Sequence, residues 1–176
     1  MQNTSVPKFA ARLNAFKVGA KDYWPGKNKI TTGDLLSRAA TAGLTATDLN
    51  FPDHFLDTSL NDLRQTLNET GMVLNGAAMR YYTDPGFKLG AFTHPDRAVR
   101  RLAIDETKKG LDALAGLGGD LMTLWMGQDG VDYSFQADYS AMWDHTIEAM
   151  AEVADHNNQI DIALEYKPNE PRAFSL

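Results

Sequence analysis

Two rhythms of apolar and polar residues take turns along this chain. Short apolar runs of strand length fall at residues 9–16, 44–51, 72–79, 121–126 and 160–166, and longer stretches with a three-to-four-residue apolar spacing lie between them. The first long stretch opens at Thr32-Gly33-Asp34 and runs to about Ala42, where Gly43 is placed to end it. Pro52 stops the second strand. Residues 59–70 set Leu60, Leu63 and Leu67 on one helical face, and Gly71 closes that helix. A long loop holding Asp84-Pro85-Gly86 and His94-Pro95-Asp96 precedes a helix over 96–117, capped by Thr93 or Asp96. Its expected inward residues are Val99, Leu102, Ala103, Thr107, Leu111, Leu114 and Leu117; for the helix over 138–157 they are Met142, Ile147, Met150 and Val153. Strand, helix, strand in this order predicts βα units around a parallel sheet.

The closure of that sheet is constrained by what is missing. An open dinucleotide-binding sheet needs a glycine fingerprint after its first strand, and Gly19 and Gly26 do not form one. A (β/α)8 barrel needs eight strands, and the pattern supplies five. The chain of 176 residues therefore reads as a single α/β domain over 1–176, either an open five-stranded sheet or a TIM barrel truncated after its fifth strand. In the second case the uncovered strand edges favour association.

Composition narrows the chemistry. With 43% hydrophobic and 23% charged residues the chain expects a packed core. The absence of cysteine removes disulfides, thiolate metal sites and cysteine nucleophiles, and fits a reducing, cytoplasmic location. No apolar run reaches membrane-spanning length. A net charge of −6 with scattered Lys and Arg leaves no basic stripe for nucleic acid, and no arginine cluster argues for phosphate.

The densest chemistry stands at residues 164–172, Leu-Glu-Tyr-Lys-Pro-Asn-Glu-Pro-Arg. Glu165 and Lys167 are two positions apart at the end of the fifth strand, so they share a face. An exposed ion pair is one reading. A carboxylate and an ammonium aimed into a barrel mouth, where strand C-termini assemble active sites, is the other.

From Tyr82 to Arg172 the chain resembles the metal-dependent aldose–ketose isomerases, the xylose isomerase and L-rhamnose isomerase group. The 165–172 segment is similar to the strand-five signature of xylose isomerase. Thr93-His94-Pro95-Asp96 with Val99-Arg100-Arg101 and Ala103 resembles the helix entry of L-rhamnose isomerase; Leu124-Trp125, Gly127, Asp129-Gly130 and Tyr133 match the fourth strand and its loop in both. The resemblance implies Glu165 as a ligand of a divalent metal ion, Mn2+ or Mg2+, and Lys167 as the group that hydrogen-bonds the sugar's carbonyl oxygen during a hydride shift. Trp125 would wall the pocket. It also implies a cis peptide at Glu170-Pro171 and, in the full-length protein, a homo-oligomer, dimer or tetramer, acting on a small-molecule sugar.

Departures from that pattern bear on substrate choice. Asn50 stands where the isomerases place a histidine at the end of strand two, with His54 nearby in a loop as a substitute; Asn14 stands in place of a strand-one tryptophan and Asp84 in place of a loop histidine. Asn50, His54 and Asn14 are accordingly the expected sugar-binding residues. His94 reads as a structural residue at a helix entry, and His145 and His156 as solvent-facing. One carboxylate is too few for Mg2+ or Mn2+, which want about six oxygen ligands, so these residues by themselves are expected to be inactive. The competing readings are a sugar or sugar-phosphate epimerase of the same fold, a metal-dependent endonuclease, which the acidic charge disfavours, and a non-catalytic sugar-binding module.

Overall fold

The computed structural model describes residues 9–167 and 169–176. Its centre is a five-stranded parallel sheet built from β1 (Ala10–Arg12), β2 (Ala46–Phe51), β3 (Val73–Met79), β4 (Leu121–Trp125) and a later strand, β6 (Asp161–Glu165), in the order β1-β2-β3-β4-β6. Four helices follow strands or their loops: a short α1 (Ala20–Tyr23), α2 (Thr32–Thr41), α3 (Leu60–Thr70) and α4 (Arg97–Gly116). A fifth, α5 (Tyr139–His156), returns the chain to β6. This is the βα order expected from the apolar rhythm, with each strand laid beside its predecessor.

Helix starts are held by side-chain caps. Thr31 and Ser59 each form a reciprocal capping box, with Asp34 and Asp62. Asp96 rather than Thr93 caps α4, accepting from the Ala98 N–H, and Asp138 caps α5 through the Ala141 N–H. Thr93 serves elsewhere. Its N–H and hydroxyl both reach the Asp129 carboxylate at 2.8 Å, and the Ala91 N–H reaches the same oxygen at 3.0 Å. Burial pushes the Asp129 carboxyl up, while these donors hold it down. The buried acid thus ties the loop before α4 to the loop after β4.

Several expectations are corrected. The first strand is three residues long, because the chain turns at Leu13–Lys17 into a 3-10 helix that buries Leu13 completely. Arg38 fixes that turn by donating to the carbonyls of Phe16 and Val18 at 2.6 and 2.9 Å. On α4 the buried stripe is Ala103, Ile104, Thr107, Gly110, Leu111 and Leu114, and Leu102 is exposed. Gly110 explains the rotation: a Cβ there would lie 2.8 Å from the Met79 sulfur and 3.3 Å from the Phe51 ring, so this side of the helix sits directly on the sheet. On α5 the inward residues are Met142, Thr146, Ala149 and Val153, and Ile147 is exposed. The cis X-Pro bond lies at Phe51-Pro52, and Glu170-Pro171 is not cis. After β6 the chain folds back, and β5 (Gly130–Val131) pairs antiparallel with β7 (Phe174–Ser175), a small sheet that the apolar rhythm did not reveal. Arg172 secures it through Asp132 at 2.8 Å.

Among the described residues no helix is long and apolar enough to cross a membrane.

Candidate active site

Parallel strands present partnered residues on one face, so the register maps the inner wall. Arg12 pairs with Asp48, Asn50 with Ala78, Ala78 with Thr123, Thr123 with Ala163, and Trp125 with Glu165. The alternate residues Leu49, Phe51, Met122 and Leu124 are buried in the core beneath the helices. Apart from Trp125, these inner-face residues are therefore small or polar, and the outer face is apolar, the division a barrel requires.

The two strands at the sheet's edges lie far apart in strand order, yet their inner side chains meet. The Arg12 guanidinium, from β1, donates to the Glu165 carboxylate, from the end of β6, at 2.9 Å. Only a strongly curled sheet brings these two ends together. Lys167 follows Glu165 onto the same side, with its ammonium 4.0 Å from the second carboxylate oxygen. That ammonium also stands 3.1 Å from the centre of the Trp125 ring. Trp125 is held in turn: its indole N–H donates to Glu170 at 2.9 Å, and the same carboxylate accepts the Lys167 backbone N–H. Tyr82 closes edge-on against Trp125, ring centres 5.0 Å apart, and the Arg80 guanidinium stacks on Tyr82 at 4.4 Å. Arg80, Tyr82, Trp125, Lys167, Glu165 and Arg12 form one continuous belt around the strand ends.

On the other side of the mouth Asn14, Asn50 and His54 are linked. The Asn50 amide donates to the Asn14 side-chain oxygen, and the Asn50 backbone N–H donates to His54 Nδ1 at 2.9 Å. His54 is buried, at 8% exposure, in a 3-10 turn, not displayed in an open loop. Its Nδ1 is occupied as an acceptor, which leaves the proton on Nε2. Burial lowers the imidazole's affinity for a proton, against the pull of Asp53 and Asp57. A pocket of about 300 Å3 runs past Asn14, Lys17, His54, Asp53 and Asp57. The Asn50 side-chain oxygen is buried with no partner among the described residues.

The other histidines lie away from the mouth. His94 accepts the Asp96 N–H at the α4 entry, His156 meets Asp112 at 2.8 Å, and His145 is half-buried beside Arg97 and Arg100. Asp84 caps a short turn through the Gly86 N–H.

A divalent cation has little to hold it here. Among the described residues no three His, Asp or Glu side chains cluster closely enough to share an ion. Glu165 is a single carboxylate already facing two cations, against a requirement of about six oxygen ligands. The described residues do not fit the metal by themselves.

Of the residues expected from sequence, Glu165, Lys167 and Trp125 stand together and Asn50, His54 and Asn14 form a second linked group; Arg12, Arg80 and Tyr82, which adjoin the first group, were not among those expected. The strand alternation that marks Arg12 as inward-facing was available, but its partner is 153 positions away.

Helix-backed parallel strands, curled so that their inner C-terminal ends converge on a polar mouth, define half of a βα barrel. The chain belongs to the xylose isomerase-like TIM barrel family, whose model matches residues 36–175. It is 33% identical over 125 residues to the xylose isomerase of Thermus thermophilus, a match covering 69% of this chain and 32% of that protein. Among solved structures it is similar to the D-allulose 3-epimerase from Methylomonas sp. in complex with D-allulose, with a TM-score of 0.67 at 17% identity, covering 95% of this chain and 54% of the other. The D-psicose 3-epimerase from Clostridium cellulolyticum H10 with D-tagatose matches equally well, TM-score 0.67 at 18% identity over 96% of this chain and 55% of the other. The chain thus spans about a third of the curated relative and about half of these solved chains.

Proposed function

We propose that this chain forms the sugar-facing half of the active site of an isomerase-type enzyme that interconverts an aldose and a ketose. The observation that carries the reading is the meeting of Glu165 and Lys167 on the inner wall at the strand C-termini, with Trp125 beneath the ammonium. In this reading Lys167 donates a hydrogen bond to the sugar's carbonyl oxygen and offsets the negative charge that grows there as hydrogen moves between adjacent carbons. Glu170 and the Trp125 face hold the lysine in place. Asn50, Asn14 and the Nε2–H of His54 bind sugar hydroxyls, and Trp125 keeps water from the reacting carbons. Glu165 offers one ligand to Mn2+ or Mg2+; the other ligands would have to come from outside the described residues, and no step is assigned to the ion.

Activity is to be measured with D-xylose and D-fructose, in the presence of Mn2+, on the full-length protein. Lys167→Met should lower aldose–ketose conversion about a hundredfold, the scale of losing one donor to a developing oxyanion. Conversion at the unsubstituted rate in both Lys167→Met and Glu165→Gln would sink the assignment. A 3-epimer in place of an aldose would move the protein to the epimerases. A second reading, a sugar-binding module without catalysis, draws on the lone carboxylate; it is recognised by sugar binding with no conversion of any kind.

A further inference from the structure

The resemblance gives Glu165 to a divalent ion, and the structure gives it to a guanidinium. Both carboxylate oxygens face positive charge: Oε2 accepts from Arg12 Nη2 at 2.9 Å, and Oε1 stands 4.0 Å from the Lys167 ammonium. The two cations differ in what else holds them. Lys167 rests on the Trp125 ring, and its backbone N–H is tied to Glu170. The Arg12 guanidinium has Glu165 as its hydrogen-bond partner among the described residues.

Arg12 is not carried to Glu165 by a frayed edge strand. On one side the Thr47 hydroxyl donates to the Ala11 carbonyl at 2.9 Å, in a register that sets Arg12 against Asp48. On the other the chain enters its 3-10 turn at once, with Leu13 completely buried and Arg38 holding the carbonyls of Phe16 and Val18. A side chain launched from a backbone pinned on both sides loses less freedom when it pairs, and arginine, unlike lysine, stays charged under all ordinary conditions.

A divalent ion entering here meets that permanent charge. Seated on either oxygen of Glu165 it would stand close to the guanidinium or to the ammonium, where like charges repel. Among the described residues no cluster of acidic or imidazole side chains offsets the repulsion. The guanidinium can nevertheless be moved, because an ion pair with 42% and 30% exposed side chains is screened by water. Asp48, its register partner on β2, places a second carboxylate one strand spacing away, with Oδ1 accepting from Asn75.

We infer that Arg12 is the standing counter-cation of Glu165, and that a divalent ion gains this carboxylate only by displacing the guanidinium. Arg12 thereby lowers the affinity of the mouth for the ion. The inference rests on the part of the reading above that makes Glu165 an ion ligand, and its test contains no sugar, so it can fail while the Lys167 assignment stands.

The test is titration of the full-length protein with Mn2+ alone, the free ion being counted by electron paramagnetic resonance. Arg12→Ala and Arg12→Gln should bind Mn2+ about three- to tenfold tighter than the unsubstituted protein, the scale of removing one screened like charge beside a ligand, and the gain should shrink as salt is raised. Arg80→Gln removes the same charge from the far side of Tyr82 and Trp125, and should change Mn2+ affinity by about twofold or less. Thermal midpoints show that the three variants fold. Weaker Mn2+ binding on loss of Arg12 would overturn the inference, because it marks an outer partner that orients a metal-bound carboxylate. Unchanged binding would overturn it too, as would an equal gain in Arg80→Gln, which would make the overall charge of the mouth, and not the contact with Glu165, the determinant. The sugar reading is decided separately, by the conversion rate of Lys167→Met.

Discussion

The two faces of the central sheet are made by the same strands and differ by one residue of register, yet they do different work. On β4 the outward Met122 and Leu124 are wholly buried, while the neighbouring Thr123 and Trp125 face the mouth and remain half-buried. On β2 the outward Leu49 and Phe51 sit in the core, and the inward Asp48 and Asn50 meet Asn75 and Asn14. Apolar burial on the outer face supplies the stability that lets polar groups crowd on the inner one, where unpaired charges and orphaned acceptors would weaken a core. A protein divided in this way can lose side chains from one face without much effect on the other.

The largest effect should come from the outer face. Leu124→Ala removes a completely buried side chain under helices that cannot close fully over the gap, and it should cost about 3 kcal/mol in urea denaturation. A loss under about 1 kcal/mol would mean that the outer face is looser than its burial implies and would weaken the contrast between the faces.

Why one face was legible in the sequence and the other only in part follows from the same division. Apolar periodicity is a local signal, and the helix caps at Asp96, Ser59 and Asp138 are local too, so strand order and helix starts could be read directly. Residues two apart on a strand share a face, so Glu165 and Lys167 could be paired in advance. Arg12 and Glu165 could not, since only the curl of the sheet joins them. The rotation of α4 onto Ile104 was hidden for a related reason: the helix is apolar on more than one side, and Gly110, which lets it approach the sheet, has no side chain to register in a hydrophobic pattern. The burial of His54 was missed because a turn after a proline ordinarily faces solvent.

A middle-sized effect should come from the seam between the faces, at His54. Its Nδ1 satisfies the buried N–H of Asn50, so His54→Ala strands that donor and should cost about 2 kcal/mol. The pH dependence has a definite sign. Burial holds the folded imidazole's pKa below its ordinary value, opposed by Asp53 and Asp57 and assisted by Arg80 and Lys17, so below the ordinary range the unfolded chain binds the proton more readily. The His54 contribution is whole above the ordinary histidine pKa of 6.5 and is lost as pH falls from there through the lower, folded value. Unfolding midpoints measured downward from about pH 8 should fall for the unsubstituted protein and fall less for His54→Ala. Equal slopes would show that the ring is not held neutral.

The smallest effect on stability should belong to the contact that most visibly joins the sheet's two ends. Arg12 and Glu165 meet at 2.9 Å, but their side chains are 42% and 30% exposed, so solvent screens much of the attraction and the ordering of two long side chains offsets more of it. Arg12→Ala should therefore change the unfolding free energy by less than about 1 kcal/mol, and added salt should shrink even that difference. Its consequence should appear at the mouth instead. With Arg12 gone, Glu165 keeps, among the described residues, only Lys167 as a cationic neighbour at 4.0 Å, and the lysine is expected to turn from the Trp125 face toward the carboxylate. Trp125 fluorescence should then respond to the substitution while the urea midpoint scarcely moves. A loss of stability as large as that of Leu124→Ala would mean that the inner ion pair holds the fold together, and the division of labour between the two faces would fail.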